Sequence, residues 1–160
     1  ALPILRDADV SLCPAADVPL NPEACMQLNG IVQRKLALLD ENVVRLQNYL
    51  RGTTLEQFRQ DDMKQAAVER VLQVAVEIVI DIAERIIALK GAGPASTSVE
   101  AIERLVALGV LPTPDPFTEM VRFRNRIVHG YTDINPEMVY LIATTRQDDF
   151  RKFRDAIDRL

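Results

Sequence analysis

The segment of the sequence with the clearest chemical potential is an arginine-rich stretch that ends near the chain's only histidine. Residues 120–131 read Met-Val-Arg-Phe-Arg-Asn-Arg-Ile-Val-His-Gly-Tyr, with a local charge of +3 in a chain of 160 residues whose net charge is −4. Histidine exchanges protons near neutral pH, and the planar guanidinium of arginine binds phosphate through paired hydrogen bonds. These residue types are therefore suited to proton transfer beside a bound anion.

The spacing of these residues limits how they can act together. At about 100° per residue on a helix, Asn125 and His129 share a face and Arg122 lies close to it. Arg124 and His129 diverge by roughly 140° on the same arithmetic. A single straight helix therefore does not direct both side chains at one small target. Long arginine side chains, fraying at Gly130, or a second copy of the segment across a dimer axis could bring them together.

The positive charges also have a purely structural explanation. They lie in the last turns of a predicted helix, where the partial negative charge of the helix C-terminus stabilises cations. This accounts for positive residues in general, but not for a histidine and a tyrosine on either side of the helix end.

The composition of the whole chain excludes several classes of protein. The chain is 48% hydrophobic and 26% charged, which is typical of one folded domain and too apolar for general disorder. Its pI of about 5.1 excludes a globally basic nucleic-acid binder, and eight aromatic residues without tryptophan give little basis for a base-stacking platform. Cys13 and Cys25 form no disulfide framework, and a lone histidine argues against a metal site.

The first 25 residues differ from the remainder of the chain. They hold four of the nine prolines and a net charge of −3, and they show no hydrophobic periodicity. They also lack the basic start and continuous apolar stretch of a secretory signal, and with the sparse cysteines this predicts a cytoplasmic protein. We interpret residues 1–25 as an N-terminal extension, and Met26 as the start of a folded domain that runs to residue 160.

From Met26 onward the hydrophobic spacing is helical, without the alternation of strands and hairpin turns. The predicted helices cover roughly residues 27–50, 54–59, 61–90, 99–108, 116–129 and 136–160. The predicted N-caps are Thr53 or Thr54, Ser98, Asp115 and Asn135, and Gly130 is the predicted stop of the arginine-rich helix. We therefore predict an all-α, up-and-down bundle of long antiparallel helices around a long central helix.

The long central helix bears on assembly. Between Val71 and Leu89, 14 of 19 positions are apolar, and most of the polar ones form a single narrow stripe. A helix at the edge of a monomer needs only about 100° of apolar face. The surplus indicates burial on two sides, either by a second subunit in a dimer or by the rest of the same chain.

The arginine-rich segment resembles a known signature. Arg124, four intervening residues, His129, one further residue and Tyr131 fill the RX4HXY pattern of the HEPN superfamily. Asn125 directly after the arginine is typical of the HepT-like toxins within it. The stretch of residues 74–83, with its Ile-Asp-Ile-Ala core, is similar to an apolar helix of that family, and the whole resemblance covers about residues 26–160.

This resemblance implies a metal-independent endoribonuclease toxin that works as a homodimer without a cofactor. Cleaving RNA in this way requires a base for the 2′-OH, an acid for the leaving 5′-oxygen and a cation for the transition state. We therefore assign His129 as general base or acid, Arg124 as a phosphate clamp, and Asn125 as the residue that orients His129 or the substrate. The expected product carries a 2′,3′-cyclic phosphate.

Tyr131 has a separate role in the systems that this sequence resembles. Their antitoxin, the MntA-like nucleotidyltransferase, transfers AMP from ATP to the tyrosine of the motif and silences the toxin. An added nucleotide would bring bulk and negative charge into a cationic site that must accept RNA. The alternative is a tyrosine packed at the helix end with its hydroxyl hydrogen-bonded.

Three further residues, Asp81, Arg122 and Arg126, are assigned supporting roles. Asp81 could reach across to orient His129 or to pair with Arg124, or it could belong to a solvated polar stripe. The alternative function is a non-catalytic HEPN-like module that binds or supports a nucleotidyltransferase. The intact arginine–histidine motif favours the nuclease.

Overall fold

The computed structural model describes residues 22–130 and 134–160, with residues 22–28 given as helix backbone only. The described residues form seven α-helices and no strand, which confirms the all-α prediction. The helices are α1 (Pro22–Leu50), α2 (Leu55–Arg59), α3 (Asp62–Leu89), α4 (Ser98–Ala107), α5 (Phe117–His129), α6 (Pro136–Thr145) and α7 (Gln147–Asp158). In the part of the chain that the structure describes, no helix is both long and apolar enough to cross a membrane.

The long helix α3 is the centre of the bundle. It packs against α1, α2, α4, α5 and α6, and 12 of its 14 apolar residues between Val71 and Leu89 are buried within this one chain. Val74 is half-buried and Ala88 is exposed. The apolar surplus of α3 is therefore covered by the chain's own helices, and this surplus gives no support for a dimer.

The helix of the arginine-rich segment, α5, begins one residue later than predicted. Pro116 takes the N-cap position, and the Asp115 carboxylate accepts a hydrogen bond from the Thr118 hydroxyl at 2.8 Å instead of capping a backbone amide. Phe117 packs edge-on against Phe153 of α7, with ring centroids 5.7 Å apart. These contacts fix one side of α5 in the core and leave its other side at the surface.

Most of the predicted helix ends lie close to the observed ones. Thr54 caps α2 in a capping box, and Asn135 caps α6 with proline at its first position. The predicted cap Ser98 is wrong by one residue, because the side chain of Thr97 accepts the hydrogen bond at the start of α4. Both hydroxyl residues suit the position, and the backbone geometry selects the first of them.

The predicted helix over residues 136–160 is wrong, because Arg146 separates α6 from α7. Just before it, the hydroxyls of Thr144 and Thr145 donate hydrogen bonds back to carbonyls one turn earlier, and the Gln147 amide donates to the carbonyl of Ala143. Side chains of this kind compete with the helical hydrogen bonds and bend helices. The break turns α7 so that Phe153 reaches α5.

Candidate active site

Helix α5 presents two arginines and a histidine on one exposed face, which we call the cationic stripe (Arg122, Arg126 and His129). Their spacing of four and then three residues places them on one side of the helix, and all three are exposed. Glu119, the nearest acid along this face, pairs with Arg146 at 3.7 Å. Among the described residues no acid pairs with the stripe, so its positive charge is open to an external anion.

Arg124 lies apart from the stripe and turns inward to α3. Its Nη2 lies 3.2 Å from Oε1 of Glu77, and its Nη1 donates to Oδ1 of Asn125 at 3.1 Å. The Arg124 side chain is only 22% exposed. A half-buried charge–charge hydrogen bond of this kind fixes a guanidinium more firmly than an exposed surface pair does.

The contacts of Arg124 belong to a longer chain of hydrogen bonds between α3 and α5. Nε2 of Gln73 donates to the same Oε1 of Glu77 at 3.0 Å, so two donors meet at one carboxylate oxygen. Nε of Arg124 is buried and finds no hydrogen-bond acceptor within the described part of the chain. We call this set the clamp network (Gln73, Glu77, Arg124 and Asn125).

Within one chain Asp81 does not pair with Arg124 or His129, and its contacts fit the alternative prediction of an exposed member of the polar stripe. The Asp81 carboxylate pairs with Nζ of Lys35 on α1 at 2.5 Å, and its side chain is 53% exposed. The acid that meets Arg124 is Glu77, one turn earlier on the same polar stripe of α3. The spacing of the polar residues in the sequence identifies this stripe. Which of its acids faces Arg124 depends on the position of α3 along the axis of α5, and that position is set by helix packing.

Within one chain the motif residues are only partly brought together. Asn125 contacts Arg124 through its Oδ1, whereas His129 stands exposed at the end of α5. Gly130 ends the helix as predicted, and its N–H donates to the carbonyl of Arg126 at 2.8 Å. Tyr131 lies outside the described residues. Arg124 and His129 thus serve different sides of α5, as the helical arithmetic predicts.

The chemistry that these groups offer is general acid–base catalysis and anion binding. An exposed histidine can take up or release a proton, and each terminal nitrogen of Arg124 keeps one N–H that the clamp network does not use. Within residues 22–130 and 134–160, no group of three or more His, Cys, Asp or Glu side chains is placed to hold a metal ion.

Known proteins share this sequence pattern. Residues 39–157 match the protein family described as ribonuclease HepT-like. The chain is also 31% identical over 133 residues to the mRNA nuclease HepT of Shewanella oneidensis, a match that covers 81% of this chain and 98% of that protein.

Solved structures share the fold. A tri-AMPylated Shewanella oneidensis HEPN toxin in complex with an MNT antitoxin superposes with a TM-score of 0.73 at 29% identity, over 79% of this chain and 96% of that one. A toxin–antitoxin structure with AMP-PNP superposes with a TM-score of 0.71 at 29% identity, over 79% of this chain and 95% of that one.

Proposed function

Because this chain belongs to the HepT-like ribonuclease family, we propose that it is the endoribonuclease toxin of a toxin–antitoxin pair. The observation that carries the proposal is the cationic stripe, because its histidine stands beside two arginines that no described acid neutralises. RNA is the polyanion that such a patch can bind and that a histidine can cleave. An RNA substrate is consistent with action in the cytoplasm.

The reaction that these side chains support is an internal transesterification. A base takes the proton of the 2′-OH, the 2′-oxygen attacks the adjacent phosphorus, and the bond to the 5′-oxygen breaks as an acid protonates that oxygen. The products are a 2′,3′-cyclic phosphate and a free 5′-OH. We assign proton transfer to His129, the negative charge of the transition state to Arg124, and the orientation of Arg124 to Asn125.

The divergence of Arg124 and His129 supports a homodimer. One α5 offers the two side chains to different sides, whereas one scissile phosphate needs both. A second copy related by a two-fold axis can place the His129 of one protomer near the Arg124 of the other. Two copies of His129 then also supply a base and an acid to the same phosphate.

Arg122 and Arg126 extend the site along the substrate. They are one turn apart, about 6 Å along the helix axis. At that separation they can each hold a phosphate next to the one that is cut. These contacts position the RNA without reading its sequence.

Tyr131 is the proposed point of control. It follows Gly130 directly and lies two residues after His129 in the sequence. A partner nucleotidyltransferase of the MntA type would attach AMP to its hydroxyl, forming a phosphodiester and releasing pyrophosphate from ATP. The added negative charge beside the stripe would repel RNA.

The proposed function is tested by cleavage of total RNA with purified protein. We expect His129→Ala and Arg124→Ala to lower the cleavage rate by at least about 100-fold, the size typical of a lost acid–base or oxyanion-binding group. The matched control is Arg104→Ala on α4, because Arg104 also pairs with a carboxylate, that of Glu100, and is 32% exposed. Unchanged cleavage in both site variants would refute the assignment of the site, and no cleavage by the unaltered protein would assign the chain to the non-catalytic module.

A further inference from the structure

We propose that Glu77 is a positioning residue for Arg124 and that Gln73 holds Glu77 in place, an assignment that rests on the proposed RNA cleavage. Glu77 accepts a hydrogen bond from Nη2 of Arg124 at 3.2 Å and one from Nε2 of Gln73 at 3.0 Å. Its side chain is 36% exposed, so water competes for it only in part. The carboxylate is thereby tied to its own helix and to the guanidinium of α5.

Two hydrogen bonds hold the guanidinium of Arg124, to Glu77 and to Asn125. Nε of Arg124 is buried and has no acceptor among the described residues. A buried donor without a partner is unfavourable, so other contacts must hold the side chain in this place. The contacts that can do so are the hydrogen bonds to Glu77 and Asn125.

The same contacts leave the guanidinium able to act. An arginine carries five N–H groups. The hydrogen bonds to Asn125 and Glu77 use one N–H group of Nη1 and one of Nη2. Each of these two nitrogens therefore keeps one further N–H group. Two N–H groups in a fixed plane match two oxygens of a phosphate. Glu77 therefore directs the clamp before the RNA arrives, which is the preorganisation that lowers a barrier.

Glu77 also has an opposite effect on substrate binding. A carboxylate this close to Arg124 partly neutralises it and repels the RNA phosphates. The positioning effect and the charge effect therefore separate kinetically. Loss of positioning lowers kcat, whereas loss of the negative charge leaves KM unchanged or lowers it.

The test compares Glu77→Ala, Glu77→Gln and the control Glu84→Ala on a defined RNA. Glu84 lies two turns further along α3, is exposed, and has no ion-pair partner among the described residues. We expect Glu77→Ala to lower kcat about tenfold or more without raising KM. Glu77→Gln keeps an acceptor for Arg124 and should keep most of kcat, and Glu84→Ala should behave as the unaltered protein.

A double-mutant cycle separates positioning from a general structural effect. If Glu77 acts through Arg124, then Glu77→Ala should have no further effect on cleavage once Arg124 is alanine. Thermal unfolding of each variant checks the fold. If Glu77→Ala does not fold, Gln73→Ala serves in its place, because it frees Glu77 without removing the ion pair and should lower kcat less.

The outcomes distinguish this inference from the proposed function. Wild-type cleavage by both Arg124→Ala and His129→Ala would remove the proposed site and the positioning role with it, and no cleavage by the unaltered protein would remove the proposed function. Loss of cleavage in those variants together with wild-type kcat in Glu77→Ala would overturn only the positioning role. A higher kcat in Glu77→Ala would also overturn it, because Glu77 would then restrain Arg124.

Discussion

The salt dependence of RNA binding provides a quantitative test of the cationic stripe. Each phosphate that a protein neutralises on a single strand contributes about −0.7 to the slope of log affinity against log salt concentration. Arg122, Arg126 and Arg124 give three such contacts for each protomer that the strand engages, hence a slope of about −2. Between 50 and 200 mM salt the affinity should therefore fall about 18-fold.

Removal of one stripe arginine should reduce this slope by a defined amount. With Arg122→Ala or Arg126→Ala the slope should become about −1.4, and the same change in salt should weaken binding only about sevenfold. The measurement is fluorescence anisotropy of a labelled single-stranded RNA, made in a His129→Ala background so that the RNA stays intact.

The control is Arg151→Ala on α7, whose arginine pairs with Asp148 at 3.3 Å and is 58% exposed. This substitution removes the same charge from the protein at a place that the proposed RNA path does not reach. Its slope should equal that of the His129→Ala protein. Unchanged slopes in both stripe variants, or an equal change in Arg151→Ala, would refute the reasoning, because binding would then follow net charge and not the stripe.

Two further predictions follow from other parts of the chain. Burial raises the pKa of the Glu69 carboxyl on α3, so the folded state binds the carboxyl proton more tightly than the unfolded state does. The free energy of unfolding therefore falls as the pH rises through the raised pKa and the carboxyl loses its proton. Glu69→Gln should therefore be more stable than the unaltered protein above that pH and equal to it at acid pH, as measured by urea unfolding; a constant difference would contradict this. Incubation with the cognate nucleotidyltransferase and ATP should add AMP to the protein, and Tyr131→Phe should abolish at least the first addition in intact-mass spectra; full addition to that variant would place the acceptor elsewhere.

The helical architecture could be predicted from sequence because its signals are local. The hydrophobic spacing of α3 and the turn at Gly91, with a φ of +68° that favours glycine, are properties of short stretches. The break at Arg146 was missed because no glycine or proline marks it. It depends instead on hydroxyl side chains, Thr144 and Thr145, that bond back to the helix.

For the candidate site, the sequence predicts only which residues share a face of the same helix. The shared face of Arg122 and His129, and the divergence of Arg124 from them, follow from helical geometry alone. The partner of Arg124 does not, because Glu77 and Asp81 occupy the same stripe and only the packing of α3 against α5 and α1 separates their roles. The apolar surplus of α3 gives no support for a dimer for a related reason, since the sequence does not show which of the chain's own helices will cover an apolar face, and the dimer itself stays a prediction.

The separation of α5 into a core side and a cationic side makes folding and toxicity genetically independent. Substitutions at exposed positions usually change stability by less than about 0.5 kcal/mol, so a change at Arg122, Arg126 or His129 can remove activity while the bundle stays intact. A cell that escapes the toxin in this way retains a folded, inactive protein. That protein keeps Tyr131 in its sequence, so if Tyr131 is the modified residue we expect it to compete with active copies for modification.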